Sequence, residues 1–278
     1  MIPFNFEYYM PESAEEAIET FLQLTREGKN PMYYGGGTEI ISMARVNNLT
    51  PGAVVDIKGI PECNFLGFRD NQLIIGAALP LTEISESHVF PLLGQAGGRV
   101  ADHTIQRKIT LGGNLAGTII YRETSLPLLV CDSQAVIAGP QGTRQVPFSE
   151  VFHQRLCLQP AELLLQIVID RSYLNLPYVH VKKVKQDKID YPLLTLVAIV
   201  KDQRIRLAFS GLLAYPFRSL PVEEAINDRH LTVKERIDRA VTGLPAPPLH
   251  DILGSAGYRE FVLRDTLKNT LATLEGHC

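Results

Sequence analysis

Apolar residues at Ala14, Ala17, Ile18, Phe21 and Leu22 recur at helical spacing and predict one buried helix face near the start of the chain. Ser13 is placed to cap that helix, Glu16 three residues on can close a capping box, and Gly28 suits its C-terminal end. Short β-rich runs follow at Tyr33-Tyr34 and at Ala53-Val54-Val55-Asp56-Ile57. A second unit begins near Gly59. In it the pattern predicts a strand over Gln72–Ala78, helices over Leu81–Ser87 and Pro91–Ala101, and a buried helical segment over Ser125–Cys131. Gln134–Ala138 and Arg144–Pro147 flank Gly139-Pro140-Gln141-Gly142, whose residue chemistry is that of a hairpin turn, and Leu163–Ile169 reads as the last strand.

The turn-rich stretch Asp170–Pro177 marks a boundary. Beyond it Tyr178–Lys185, Leu193–Lys201 and Ile205–Leu213 predict three antiparallel strands, and helices are expected at Val222–Ile226, Val233–Val241 and Arg259–Leu274. Strands followed by helices is an α+β pattern rather than βαβ alternation. The expected division is 1–58, 59–172 and 173–278, with no internal repeat or low-complexity linker.

Composition narrows the function classes. The chain has 278 residues, 45% apolar and 21% charged, which suits a soluble globular protein with ample core. A net charge of -3 without a basic stripe argues against a nucleic-acid partner. The longest apolar stretches, such as Leu193–Val200, fall far short of a membrane span. The N-terminus lacks a basic segment followed by an apolar one, so no signal peptide is expected and the cytoplasm is the expected location. Cys63, Cys131, Cys157 and Cys278 are scattered, as are His103, His153 and His180. Their spacing encodes neither an iron–sulfur cluster nor a metal site, and reduced structural thiols are expected.

Two glycine-centred segments carry candidate chemistry: Gly35-Gly36-Gly37-Thr38-Glu39 and Thr110-Leu111-Gly112-Gly113-Asn114. Adjacent glycines expose successive N–H groups without Cβ atoms, and such a nest suits a phosphate or pyrophosphate. Neither segment has the G-x-G-x-x-G or G-x-x-x-x-G-K-[ST] spacing of common nucleotide loops. A tight turn accounts for the first glycine run by itself, and a bulge between buried strands for the second.

Gly35-Gly36-Gly37-Thr38-Glu39 resembles the first flavin loop, A-G-G-T-D/E, of the FAD-binding subunits of molybdenum hydroxylases, the xanthine dehydrogenase and carbon monoxide dehydrogenase family. Thr110-Leu111-Gly112-Gly113-Asn114 resembles its second signature, T/S-I/L-G-G-N. Val54-Val55-Asp56-Ile57, Leu73-Ile74-Ile75-Gly76-Ala77-Ala78, Leu126–Asp132 and Asp251–Arg259 resemble further family segments in the same order, so the likeness covers nearly the whole chain.

The resemblance implies a two-subdomain FAD-binding fold of the vanillyl-alcohol-oxidase type, followed by a C-terminal α+β domain with a three-stranded antiparallel sheet. FAD would lie extended between the N-terminal and middle subdomains. Tyr33, Tyr34, Gly35, Gly36, Gly37, Thr38, Glu39 and Ile40 would wrap the pyrophosphate. Thr110, Gly113, Asn114 and Ala116 would add contacts from the second loop, and Glu123 would hydrogen-bond sugar or ribityl hydroxyls. The family often carries a lysine on the first strand of the C-terminal domain. Lys182 and Lys183 compete for that place, and strand alternation puts Lys183 on the face of Val179 and Val181, expected to look inward. Two departures stand out: Thr118-Ile119-Ile120 replaces the family's A-S-P, and Gln106 stands where arginine is common.

The implied role is a flavin subunit of a hetero-oligomer, with a molybdenum-cofactor large subunit, a small subunit holding 2Fe–2S clusters, and NAD+ or another acceptor. No catalytic side chain is expected, since the redox chemistry belongs to the flavin. The alternatives are a standalone FAD-dependent oxidoreductase, or a non-catalytic assembly module on the same fold.

Overall fold

The computed structural model describes residues 1–185 and 190–278, which form two compact units interleaved along the chain. The first comprises Met1–Glu86, His103–Gly117 and Asp132–Arg171; the second comprises Ser87–Asp102, Thr118–Cys131 and Ser172–Cys278. Among the described residues, no helix is long and apolar enough to cross a membrane.

The first unit holds two larger sheets. Its N-terminal sheet has Ala53–Asp56 at the centre, flanked by Glu7–Tyr9 and Pro31–Tyr34, and all pairs are parallel. The Ala14–Arg26 helix makes the crossover from the first of these strands to Pro31–Tyr34, so this part does contain a βαβ element that the apolar pattern did not predict. Ser13 caps the helix by accepting from the Glu16 N–H at 3.1 Å. The Glu16 carboxylate reaches the N–H of Glu12 at 2.8 Å, one residue before the position a capping box would use. Gly28, with φ of +73°, ends the turn.

The second sheet is antiparallel, in the order Leu66–Arg69, Gln72–Gly76, Leu163–Asp170, Gln134–Gly139, Gly142–Pro147. Its expected hairpin closes with Gly139 opposite Gly142. The central strand, Leu163–Asp170, is buried along all but its last residue, which accounts for an apolar run interrupted only by Gln166, whose amide donates to the Glu62 carbonyl at 2.9 Å.

In the second unit, Tyr178–Val184, Pro192–Lys201, Arg204–Ser210 and Phe217–Arg218 form an antiparallel sheet in chain order. The fourth strand has two residues, too short to show any periodicity, so the sheet is wider than the three strands expected. Helices run over Leu220–Asn227, Val233–Thr242 and Ala256–Leu274.

Both faces of this sheet are covered. Leu194, Leu196, Ala198, Leu207 and Phe209 pack with Leu263, Leu267 and Leu271 of the last helix on one face. On the other face the carbonyls of Leu129 and Val130 accept from Arg218 (3.0 Å) and Arg206 (3.3 Å). These carbonyls belong to the buried Ser125–Val130 helix and its sequence excursion. Arg259 is fully buried and donates to the carbonyls of Leu193 and Gly211 and to Asp251, tying the last helix to the sheet and to the preceding turn. The helix expected at Pro91–Ala101 stops at Gly97, where the consecutive glycines Gly97-Gly98 make its continuation costly in backbone entropy.

Candidate functional site

The first unit brings the two glycine segments together. The chain leaves the Pro31–Tyr34 strand at Gly35 and enters the Thr38–Arg45 helix through Gly37, whose φ of +69° is a left-handed conformation. A Cβ on Gly37 would fall 2.2 Å from the Tyr34 hydroxyl oxygen, with the ring at its back. Gly36 lies against the second segment so closely that a Cβ on it would be 1.4 Å from the Lys108 carbonyl oxygen. A Cβ on Gly35 would be 2.7 Å from Thr110 Oγ1. The glycines therefore serve a long-range backbone contact as well as a turn.

The second segment is itself a short helix, Leu111–Ala116, rather than a bulge. Thr110 caps it by accepting from the Gly113 N–H at 3.1 Å. Leu111 N–H and Gly112 N–H donate to the carbonyls of Leu79 and Ala77, and a Cβ on Gly112 would meet Ala77 at 2.9 Å. Thr110 and Asn114 are buried, while Gly113 and Ala116 are exposed on the same helix. Glu39 reaches across from the first segment: the Cβ position of Gly117 is 3.1 Å from its Oε2.

No side chain caps the Thr38–Arg45 helix at Gly37. The Ile41 N–H bonds to the Gly37 carbonyl, and the N–H groups ahead of it are the ones that helix geometry leaves without intrahelical partners. Such a helix start favours an anion. A backbone cradle that any Cβ would fill, beside such a helix start, fits the pyrophosphate of FAD. Tyr33 contributes packing: its ring stacks on Phe21 at 4.5 Å and its hydroxyl donates to the Ala161 carbonyl at 2.8 Å. Burial raises its phenol pKa.

Behind the first segment stands a polar group that the sequence reading passed over. Asp56 is 1% exposed and accepts from the Tyr8 hydroxyl at 2.6 Å, the Lys58 N–H at 2.9 Å and the Lys58 Nζ at 2.6 Å. Lys58 Nζ also donates to the Gly35 carbonyl at 2.7 Å and lies 4.7 Å from the Tyr34 ring centroid. The hydrogen bond to Asp56 pushes the Tyr8 phenol up to about 12.

Glu123 and the competing lysines belong to the other unit. Glu123 is buried, with Oε2 at 2.9 Å from Lys182 Nζ and Oε1 accepting from Thr195 Oγ1 at 2.7 Å. Lys182 Nζ also donates to the Arg99 carbonyl at 2.7 Å. Lys183 is exposed, which corrects the expectation that it looks inward. It does share the face of Val179, but the packing there does not extend to Lys183. The opposite face, where Lys182 stands across from Thr195, is covered too and holds the buried ammonium. Alternation identified two faces and could not tell which one keeps a lysine dry. Next to this pair, His180 has neither ring nitrogen hydrogen-bonded, and burial with Arg99 and Lys182 nearby lowers its pKa to about 4. Thr118 is exposed and Ile119 and Ile120 are half-buried.

The family described as FAD binding domain in molybdopterin dehydrogenase matches residues 4–171. The 6-hydroxypseudooxynicotine dehydrogenase complex subunit alpha of Paenarthrobacter nicotinovorans is 26% identical over 294 residues, covering 98% of this chain and 95% of that one. The carbon monoxide dehydrogenase medium chain of Hydrogenophaga pseudoflava is 23% identical, with all of both chains covered. Among solved structures, carbon monoxide dehydrogenase from Hydrogenophaga pseudoflava lacking the Mo-pyranopterin moiety superposes with a TM-score of 0.87 at 23% identity over 100% of each chain, a likeness of fold.

Proposed function

Because the chain belongs to the family of FAD binding domains in molybdopterin dehydrogenases, we propose that it is the flavin-carrying electron-transfer subunit of a molybdenum hydroxylase complex. It receives electrons from the 2Fe–2S clusters of a small partner subunit, downstream of a molybdenum-cofactor large subunit, and passes them to NAD+ or another acceptor. FAD, when bound, supplies the redox chemistry, accepting and releasing electrons at its ring system. The observation that carries this reading is the backbone-to-backbone closure of Gly35–Gly36 on Lys108–Thr110 beside an uncapped helix start.

In this reading the chain's own residues bind and orient. Amides from Gly35 to Ile40 and the Thr38 hydroxyl hold the pyrophosphate, and Glu39 joins the two segments. Thr110, Gly113, Asn114 and Ala116 line the second wall. Glu123, already accepting from Lys182 and Thr195, keeps lone pairs that can accept a further hydroxyl. The relatives are named for different substrates, carbon monoxide and 6-hydroxypseudooxynicotine, which agrees with a substrate site on another chain.

The test is electron transfer. Flavin bound to the purified chain should be bleached by NADH or by a reduced 2Fe–2S partner subunit, and an artificial acceptor should restore its colour. Bound flavin that responds to neither donor would overturn the electron-transfer role.

A further inference from the structure

The Asp56–Lys58 pair stands behind the first glycine segment and bonds directly to its backbone. We propose that Lys58, held by Asp56, is a positioning residue that sets the orientation of the Gly36 amide and thereby pre-organises the first glycine segment for the pyrophosphate of FAD. The inference rests on the FAD reading above.

The Gly35 carbonyl and the Gly36 N–H belong to one planar peptide, and no cis bond occurs in the described chain. In a trans peptide these two groups point in opposite directions. Lys58 Nζ, 2.7 Å from the Gly35 oxygen, therefore fixes the Gly36 N–H to point away from the Asp56–Lys58 corner. Glycine backbones need such a restraint, because without side chains they have the widest choice of conformations to lose on binding.

Lys58 is restrained in turn. Its backbone N–H and its ammonium both bond to Asp56, whose carboxylate is buried and also receives the Tyr8 hydroxyl. Asp56 ends the central strand of the parallel sheet, so the group that aims Lys58 is anchored on a strand paired on both sides. The segment is also stopped by the Lys108 carbonyl and Thr110. One peptide is thus held by a charge-assisted hydrogen bond and bounded by a steric wall.

The test measures binding of FAD, ADP and lumiflavin to the full-length chain stripped of flavin, alongside its melting temperature. The variants are Lys58→Met, which keeps the stem and removes the ammonium, Lys58→Arg, which keeps a cation with several donors, and Asp56→Asn. Lys58→Met should weaken FAD and ADP by a similar factor, about tenfold to hundredfold, the span set by one hydrogen bond to a charged group. Lumiflavin, which has no phosphate, should bind unchanged, Lys58→Arg should recover part of the loss, and Asp56→Asn should resemble Lys58→Met. Unchanged FAD and ADP affinity in Lys58→Met would overturn the proposal. So would an equal loss for lumiflavin together with a lower melting temperature, which is the signature of a merely structural role. A parent chain that binds no FAD would instead defeat the flavin reading, and this inference with it.

Discussion

Replacing Gly36 with alanine asks the sharpest question of the loop geometry. The added Cβ would fall 1.4 Å from the Lys108 carbonyl oxygen, whereas carbon–oxygen contacts lie at about 3.3–3.6 Å, so the two segments must part by roughly 2 Å. The obstructing atom is backbone, so no side-chain rotation relieves the clash. Overpacking of this kind costs about 1–3 kcal/mol of stability. A hydrogen bond does not survive a displacement of that size, since useful donor–acceptor distances span only about 2.7–3.2 Å. Losing even one amide bond to a charged phosphate, about 1.5–3 kcal/mol, corresponds to a tenfold or larger fall in FAD affinity.

The assay is a fluorescence titration of flavin-free protein with FAD, run beside thermal melts, with Gly257→Ala as the control. Gly257 is helical and a Cβ there meets nothing within 4 Å, so that variant should stay within about 1 kcal/mol of the parent and bind FAD normally. If Gly36→Ala kept both its melting temperature and its FAD affinity, the interlocked glycine segments could not be the pyrophosphate site.

Three other outcomes follow from the geometry. Lys182→Met strands the Glu123 carboxylate in a buried setting and should cost about 3–5 kcal/mol in urea denaturation, whereas exposed Lys183→Met should stay within about 0.5 kcal/mol; the reverse ranking would refute the burial assignment. The ordinary histidine pKa is 6.5 and folded His180 titrates only at about 4, so the unfolded chain binds more protons between these values. Stability should therefore decline by about 3 kcal/mol as pH falls from 6.5 to 4, and His180→Asn should flatten that part of the profile seen in urea melts at stepped pH. Cys157 is exposed, while Cys63 is buried with its thiol pushed up to about 12, so a thiol reagent should label Cys157 in the native protein and reach Cys63 only on unfolding; rapid native labelling of Cys63 would contradict this.

What the sequence made legible follows the range of the forces involved. The Ala14–Arg26 helix and the Gly139–Gly142 hairpin were readable because a cap, an apolar stripe and a turn are local chemistry. The short Leu111–Ala116 helix was not, because six residues span too few turns to show a stripe and its start depends on Thr110. The parallel pairing of Glu7–Tyr9 with Ala53–Asp56 joins strands far apart in sequence, and three exposed residues carry no alternation to announce it. At the site, the glycines and their polar neighbours were visible by type. The reason Gly36 must be glycine, the Lys108 carbonyl, lay some seventy residues away, about the distance at which local reading has no purchase. Lys58 was invisible for the same reason: it is ordinary in sequence and acts through a carbonyl on another strand's exit loop.

Whether the two interlocked glycine segments form an FAD site is decided by the visible absorption spectrum of the purified full-length chain before and after FAD is added and unbound flavin removed. Flavin bands should stay with the protein in stoichiometric amount and weaken in Gly36→Ala. A chain that carries no flavin and retains none after exposure to excess FAD would contradict that assignment.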